Sequence, residues 1–589
     1  MELSIRENPL SKSSTLFLLI LAFIQGVSGF FLHYAINNFS LFKNYPQVTV
    51  ILIFVVAYVP LFIYVTYRRS IVSKKYCLGI ALFSLIIIWI AWYIGSESDT
   101  TVRMLSFYRN NFFSFGHFFA INCFCFIALF FFKGSLHEGQ FPPTYQSQFG
   151  FSWHNYLSLK LSFVFVGILF GILQLWGELF KAVNIGFFHY LFKQEWFLYP
   201  VLSVAFAYAL IMFRTQINAV GAMQRILRVL FKVLLPLLLG IVTMFISVLP
   251  FTGASVIWEN NFGGSATLLG VLILTLFHFN AVYQDGTASP YQDKMSKIIR
   301  YATLMTLVFA VLSLYGISAR VQQYGLTPTR IWGLILACLS TVYLLAHSVI
   351  SLMDKEKWSD YFGKINAYFA IVIMGVCLLL FTPLLNLNKL SADSQYQRFI
   401  TKKVSLENMN FYNLARLGKH GLASLELIKL DESIVGDKKQ IAKIDQAIKN
   451  RNRYYAIDKD FMSNDDIGDT VLVYPQGAKV NEKYWSKARL RQGDCTSTEP
   501  CFLILKDINS DEKDEYVLIH KKYKIYQLSI HQLTKKGTLS FVLQKQFPIE
   551  QLSIEKLQQA LATSGLKTKN PRWKNLLIDD VEIPIFGRR

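Results

Sequence analysis

The chain is short of charge and shorter still of acid. Only 16% of its 589 residues are charged, and 38 Asp and Glu stand against 59 Lys and Arg. Gly-rich phosphate loops, an HExxH pair, a Ser-His-Asp arrangement and paired CxxC motifs are missing. Their absence removes the commonest signatures of nucleotide binding, zinc hydrolysis and serine hydrolysis. Basic stripes interleaved with aromatics are also missing, so the net charge of +21 does not point to nucleic acid. After Leu387 no further apolar run of about twenty residues occurs.

What the chain has in abundance is apolar side chain. It is 53% hydrophobic and 15% aromatic, with a mean hydropathy of +0.35. A soluble core has no room for so much, so a lipid bilayer must solvate much of it. Runs such as "LGIALFSLIIIWIAWYIG" and "ILRVLFKVLLPLLLGIVTMFISVL" fill the first two thirds. Spans are expected at 15–36, 48–67, 77–95, 113–133, 161–184, 197–215, 226–249, 264–283, 299–318, 331–353 and 365–387. All must be helical, because lipid offers no partner to an open backbone amide. The chain is therefore expected to be a polytopic α-helical membrane protein of about eleven transmembrane helices, with a C-terminal soluble α+β domain. The boundary falls between residues 1–387 and 388–589.

Basic residues set the orientation. With the N-terminus cytoplasmic, eighteen Lys and Arg of the span-bearing part lie on that side, from Arg6 and Lys12 to Lys355, Lys357 and Lys364. The opposite side takes seven: Lys43, Arg103, Arg109, Lys181, Lys193, Arg320 and Arg330. That asymmetry favours a cytoplasmic N-terminus, and an odd number of spans puts the C-terminal domain outside the cytoplasm. Cys495 and Cys501, in "GDCTSTEPCF", fit this placement. Five other cysteines lie in apolar segments, but this pair sits among polar residues, where an oxidising compartment permits a disulfide.

In the C-terminal part, "DKKQIAKIDQAIKNRNRYY" and "SLENMNFYNLARLGKHGLASLELIKL" have helical spacing, the latter with a break at Gly418 and Gly421. Strands are expected in "TVLVYP", "CFLILKDI", "EYVLIH", "KIYQLSI" and "TLSFVLQ", a helix in "SIEKLQQALATSG" and a last strand in "NLLIDDVEIPIF". Asp507, Asn509, Asp511 and Glu515 occupy positions 1, 3, 5 and 9 of a loop between two strands. Alternating oxygen ligands suit Ca²⁺, because side chains two apart converge on one point. The loop resembles the strand-flanked calcium loops of integrin-type propeller repeats, except that Glu512 stands where they carry Gly. An acidic hairpin turn facing water is the favoured reading, with Ca²⁺ binding second to it.

Ionisable residues inside spans are functional candidates by default. Glu178 has Lys181 on the same helical face, which reads as an interfacial ion pair. His278 has Asn280 two residues on, with Asp285 at the exit of the span. His33, His117 and His347 lie on other spans without a shared spacing. Glu97 and Asp99 form an acidic pair in an outer loop. The first outer loop, "NNFSLFKNYPQ", holds no acid, which departs from the pattern of membrane glycosyltransferases.

Four stretches, "LWGELFKAVNIGFFHYLF", "FNAVYQDGTASPY", "SLYGISARVQQYGLTPTRIW" and "FYNLARLGKHGLASLELI", resemble a family of bacterial inner-membrane proteins grouped as domain of unknown function 4153. Its most specific element here is Tyr324, Gly325, Thr327, Pro328 and Arg330, a tight turn in which Thr327 caps and Pro328 opens the next helix. The resemblance implies a Gram-negative inner membrane and no particular reaction. It also implies calcium ancestry for the acidic loop, since members often carry D-L-D-G-D-G-like sequences there. The expected function is a non-enzymatic multi-pass inner-membrane protein whose periplasmic domain serves envelope interaction or sensing. Its expected partners are the lipid bilayer and envelope proteins, with Ca²⁺ the one cofactor in view. The runner-up is a transporter for a small solute or lipid, and the third an envelope enzyme using Glu97 and Asp99.

Overall fold

The structure is a computed structural model. It describes residues 9–39, 42, 44–67, 73–97, 115–215, 217–253, 264–283, 290–353, 355–404, 409–431, 434–451, 471–475, 478, 480, 501–508, 513–522, 525–533, 539–548, 559, 576–578 and 581–583. The chain divides into two compact units, Met1–Tyr454 and Tyr455–Arg589.

The described residues of the first unit form helices joined by turns and short connections. Its long helices are α1 (Lys12–Asn38), α2 (Pro46–Thr66), α3 (Lys74–Glu97), α4 (Phe115–Glu138) and α5 (Tyr145–Ala182). After a short α6 (Phe187–Leu191) come α7 (Glu195–Thr215), α8 (Ile217–Thr252), α9 (Gly264–Tyr283), α10 (Asp293–Tyr324), α11 (Pro328–Ser351) and α12 (Lys355–Leu379). Among the described residues, eleven helices are long and apolar enough to cross a membrane. The protein is a polytopic helical membrane protein. Its burial pattern inverts that of a soluble domain: Leu78, Leu175 and Val233 are exposed, whereas Thr275, Ser313, His347 and Asn366 are buried. Lipid solvates the outer leucines, and polar side chains must find each other inside.

Local chemistry sets the helix ends. Ser11, Thr144 and Thr327 accept backbone N–H groups as N-caps of α1, α5 and α11. Arg214 donates to the carbonyls of Tyr64 (2.7 Å) and Tyr67 (2.9 Å), satisfying the open C-terminal end of α2 with a cation. The last span ends at Leu379 rather than running to Leu387. Pro383 explains the difference: it opens a 3₁₀ turn at Pro383–Leu385, and Asn386 then caps a new helix by accepting from Lys389 N at 3.0 Å.

That helix, α13 (Leu387–Ile400), begins a helical layer completed by α14 (Phe411–Ala415), α15 (Gly418–Lys429) and α16 (Lys438–Asn450). Gly418, at φ +66°, divides α14 from α15. Gly421 lies inside α15 and brings its backbone against Leu414: a Cβ there would stand 1.8 Å from the Leu414 carbonyl oxygen. The layer has its own core around Phe399, Phe411, Leu425, Ile428 and Ile444, yet it belongs to the same compact unit as the spans.

The second unit carries a five-stranded sheet in sequential order: β1 (Val471–Tyr474), β2 (Cys501–Lys506), β3 (Glu515–Lys522), β4 (Ile525–Leu533) and β5 (Leu539–Pro548). Strand β1 runs parallel to β2, and the other pairings are antiparallel. Phe502, Leu503, Val517, Leu518 and Ile519 are buried in its central strands. The terminal apolar stretch is two short antiparallel strands, β6 (Leu576–Ile578) and β7 (Val581–Ile583), rather than one.

Candidate functional site

The largest polar constellation inside the spans centres on Asn366 of α12. Its Nδ2 donates to Tyr145 Oη at 2.8 Å and to Asn280 Oδ1 at 3.1 Å. Tyr343 Oη lies 2.8 Å from Oδ1 of both Asn280 and Asn366. His347 Nε2 is 3.2 Å from Asn366 Oδ1, an acceptor, so this nitrogen is the donor of the pair. Nδ1 of the fully buried His347 has no hydrogen-bond partner among the described residues. Aromatic rings enclose it: Tyr343 tilted at 4.2 Å, and Phe362 at 5.1 Å and Phe279 at 5.8 Å edge-on. Four helices, α5, α9, α11 and α12, thus meet on one hydrogen-bonded network. Its chemistry is cohesion in lipid, with one imidazole nitrogen spare.

Sequence reasoning named Asn280 and His347 but assigned them to no common site, and it passed over Tyr145, Tyr343 and Asn366. A systematic scan for Asn, His and Tyr within apolar windows is the signal that finds them.

The candidates singled out from sequence lie elsewhere. Glu178 is exposed, 3.8 Å from Lys181 and 3.0 Å from His189 Nδ1. His278 is buried, but its Nδ1 is used within its own helix, 2.8 Å from the Leu274 carbonyl, and its ring meets Phe231 edge-on. Asp285 and Asp99 fall outside the described residues. His33 sits beside Tyr199, and His117 beside Trp332 and Phe381, so these histidines and His347 occupy three settings.

A second polar constellation fastens the helical layer to the ends of the spans. The turn from Tyr324 to Arg330 has Gly325 at φ +76°, and Thr327 Oγ1 accepts from Arg330 N at 3.4 Å. Arg330 closes the turn from the other side, donating to Gly325 O at 2.8 Å and lying over the Tyr324 ring. Onto this turn docks α13. Gln395 Nε2 donates to Tyr324 O (3.1 Å) and Leu326 O (3.0 Å), and Ser394 Oγ accepts from Leu326 N at 3.0 Å. Arg398 donates to Gln322 O and Gln323 O, taking the last carbonyls of α10. A Cβ at Gly325 would fall 2.6 Å from Arg398 Cδ, so here only glycine permits both the turn and the docking.

Further along the chain, α15 docks onto α3. The Glu97 carboxylate receives Lys419 Nζ at 2.9 Å and His420 Nε2 at 3.0 Å. Lys419 also donates to Ser96 O, and Asn386 Nδ2 donates to Tyr93 Oη at 3.0 Å beside them.

In the sheet unit, Asp507 and Glu515 flank the β2–β3 loop, while Asn509 and Asp511 lie outside the described residues. Glu515 is buried; its Oε2 accepts from Ile508 N at 2.8 Å, and its Oε1 has no hydrogen-bond partner among the described residues. Cys501 is fully buried at the head of β2, and Cys495 lies outside the described residues. The free thiols among the described residues are Cys77, Cys123, Cys125, Cys338 and Cys377.

A family model described as a domain of unknown function, DUF4153, matches residues 48–428. The chain belongs to the DUF4153 family. No curated protein and no solved structure matches it. The DUF4153 segment contains the Asn366 network, the Tyr324–Arg330 turn and the Glu97–Lys419–His420 cluster, and it ends within α15. The family thus takes in α13, α14 and most of α15 as well as the spans, and the sheet unit lies beyond it.

Proposed function

We propose that this DUF4153 protein is a non-enzymatic component of the bacterial inner membrane, with a cytoplasmic N-terminus and a periplasmic sheet unit that serves envelope interaction or sensing. One observation carries this reading. The polar side chains of its most family-like segments (Arg330, Lys419 and His420) are engaged with the chain's own backbone and with Glu97. Groups committed to seating a helical layer are not poised on a substrate. The excess of Lys and Arg on the N-terminal side of the spans supports the orientation. In that frame the buried Cys501 pairs with Cys495.

The test is site-specific photo-crosslinking in cells from exposed β5 positions such as Val542 and Lys545, beside a solute-flux assay on the reconstituted protein. Adducts with envelope proteins, with no flux, are expected. Solute flux abolished by substituting Glu178, His278 or Asp285 would overturn the reading in favour of a transporter.

A specific observation favours Ca²⁺ at the β2–β3 loop. Glu515 Oε1 is a buried, partnerless carboxylate oxygen at position 9 of the D-x-N-x-D sequence, and buried carboxylates are ordinarily paired or metal-bound. By their place in the sequence, Asp507, Asn509 and Asp511 would supply the other ligands. Calcium is expected to raise the melting temperature of the full chain, and Glu515→Gln to remove that rise. No difference between calcium and chelator would sink the assignment.

A further inference from the structure

Three arginines gather at the turn between α10 and α11, and no acid answers them. Arg320, one helical turn before the end of α10, lies 5.7 Å from the centre of the Tyr324 ring, and Arg330 lies 5.3 Å from the same ring. Arg398 of α13 passes so close to Gly325 that a Cβ there would stand 3.3 Å from its Nε. Arg330 donates to the carbonyl of that same glycine at 2.8 Å. Arg320 and Arg398 are both within electrostatic reach of Arg330. Among the described residues, none of the three arginines is in an ion pair. The sequence has no acid between Asp293 and Asp354. Asp393, the single acid of α13, is exposed and forms no ion pair among the described residues. Where α15 docks the arrangement is opposite, since Lys419 and His420 share Glu97.

Much of this donor capacity is unspent. Arg330 bonds through Nη1 alone, to Tyr324 O and Gly325 O. Arg398 spends both terminal nitrogens on the Gln322 and Gln323 carbonyls, and its Nε is buried with no hydrogen-bond partner among the described residues. Arg320 makes no hydrogen bond among the described residues. Backbone carbonyls satisfy N–H groups, but they do not cancel charge. Three like charges held together repel one another, and an anion from outside the chain relieves them. Guanidinium forks match phosphate in shape and charge. The turn joins two spans, α10 and α11, so the cluster lies at the membrane surface, the level of lipid phosphates. Tyr324 is exposed, so the cluster is open to a ligand there.

We propose that Arg320, Arg330 and Arg398 hold the phosphate of a phospholipid head group. An anionic lipid such as phosphatidylglycerol fits best, because the ammonium of a zwitterionic lipid would stand among three cations. The lipid is then a further member of the contact that seats α13, not a substrate.

Native mass spectrometry of the full chain, titrated with phosphatidylglycerol in detergent, tests this. Tight binding of one lipid is expected, weakened roughly tenfold in Arg320→Ala, the scale of one charge-assisted hydrogen bond. Among the described groups Arg320 is held by the Tyr324 ring alone, so this variant should melt as the unaltered chain does in lipid-free detergent. Lys181→Ala removes an exposed cation from the same side of the spans and should leave binding unchanged. Equal binding by Arg320→Ala and the unaltered chain would overturn the proposal. So would an equal loss in Lys181→Ala, the mark of a diffuse charge effect. Displacement of the lipid by millimolar inorganic phosphate would overturn the assignment to lipid and give the site to a soluble phosphate.

Discussion

His420 Nε2 meets Glu97 Oε2 at 3.0 Å across 323 residues of sequence. With Lys419 on the other oxygen, Glu97 is nearly buried between two donors, its side chain only 9% exposed. A carboxylate so placed is expensive to leave alone. Glu97→Leu strands Lys419 and His420 at the docking surface and is expected to lower stability by about 1–3 kcal/mol. Hydrogen exchange is the direct readout: amides of α15 should exchange faster in the variant while those of α9 do not change.

The Asn366 network makes a second prediction. Asn366→Leu deprives Tyr145, Tyr343, Asn280 and His347 of a shared partner. Polar contacts between membrane helices contribute about 0.5–2 kcal/mol each, because the dissociated helices find other partners. The expected loss is at the upper end of that range, and Tyr145→Phe, which removes one bond, should cost less. Thermal unfolding in detergent measures both, and equal melting temperatures for the unaltered chain and Asn366→Leu would contradict the role assigned to the network.

Two glycines separate close packing from open surface. Gly421→Ala places a methyl group 1.8 Å from the Leu414 carbonyl and requires α14 and α15 to part. Overpacking of this kind costs about 1–3 kcal/mol. Gly167→Ala meets nothing within 4 Å, and alanine is the better helix former by about 1 kcal/mol. The first variant should accumulate poorly and melt early; the second should match or exceed the unaltered chain.

His531 in β4 supplies a pH dependence. Burial lowers its pKa below the ordinary 6.5, so between the lowered value and 6.5 the unfolded unit binds more protons than the folded one. Its contribution is complete above about pH 6.5 and declines as pH falls through that window. His531→Gln should flatten the decline. Hydrogen exchange of β4 peptides in the full chain, followed from pH 7 to pH 5, reports it after correction for intrinsic rates.

A fifth variable is the state of the cysteines. Rapid alkylation of denatured, unreduced protein is expected to modify the five free thiols and spare Cys495 and Cys501. Reduction should then expose two more. Seven modified cysteines without reductant would remove the disulfide and one support for a periplasmic sheet unit.

The amino-acid sequence by itself determined the spans. About twenty apolar residues in a row have only one low-energy fate in lipid, and Ser11, Thr144, Thr327 and Pro328 mark helix starts by chemistry local to them. The order of the five strands' segments was legible for the same reason, since β-branched and aromatic residues crowd into "CFLILK" and "YVLIH". Tertiary structure alone decided what Asn366, Glu97 and Gly421 do. Each is ordinary within its own segment, and each draws its meaning from a group on another helix: Tyr145, His420 or the Leu414 carbonyl. Hydropathy reports how a residue partitions between water and lipid. It carries no record of which polar group, 200 or 300 residues away, will face it once the helices have packed.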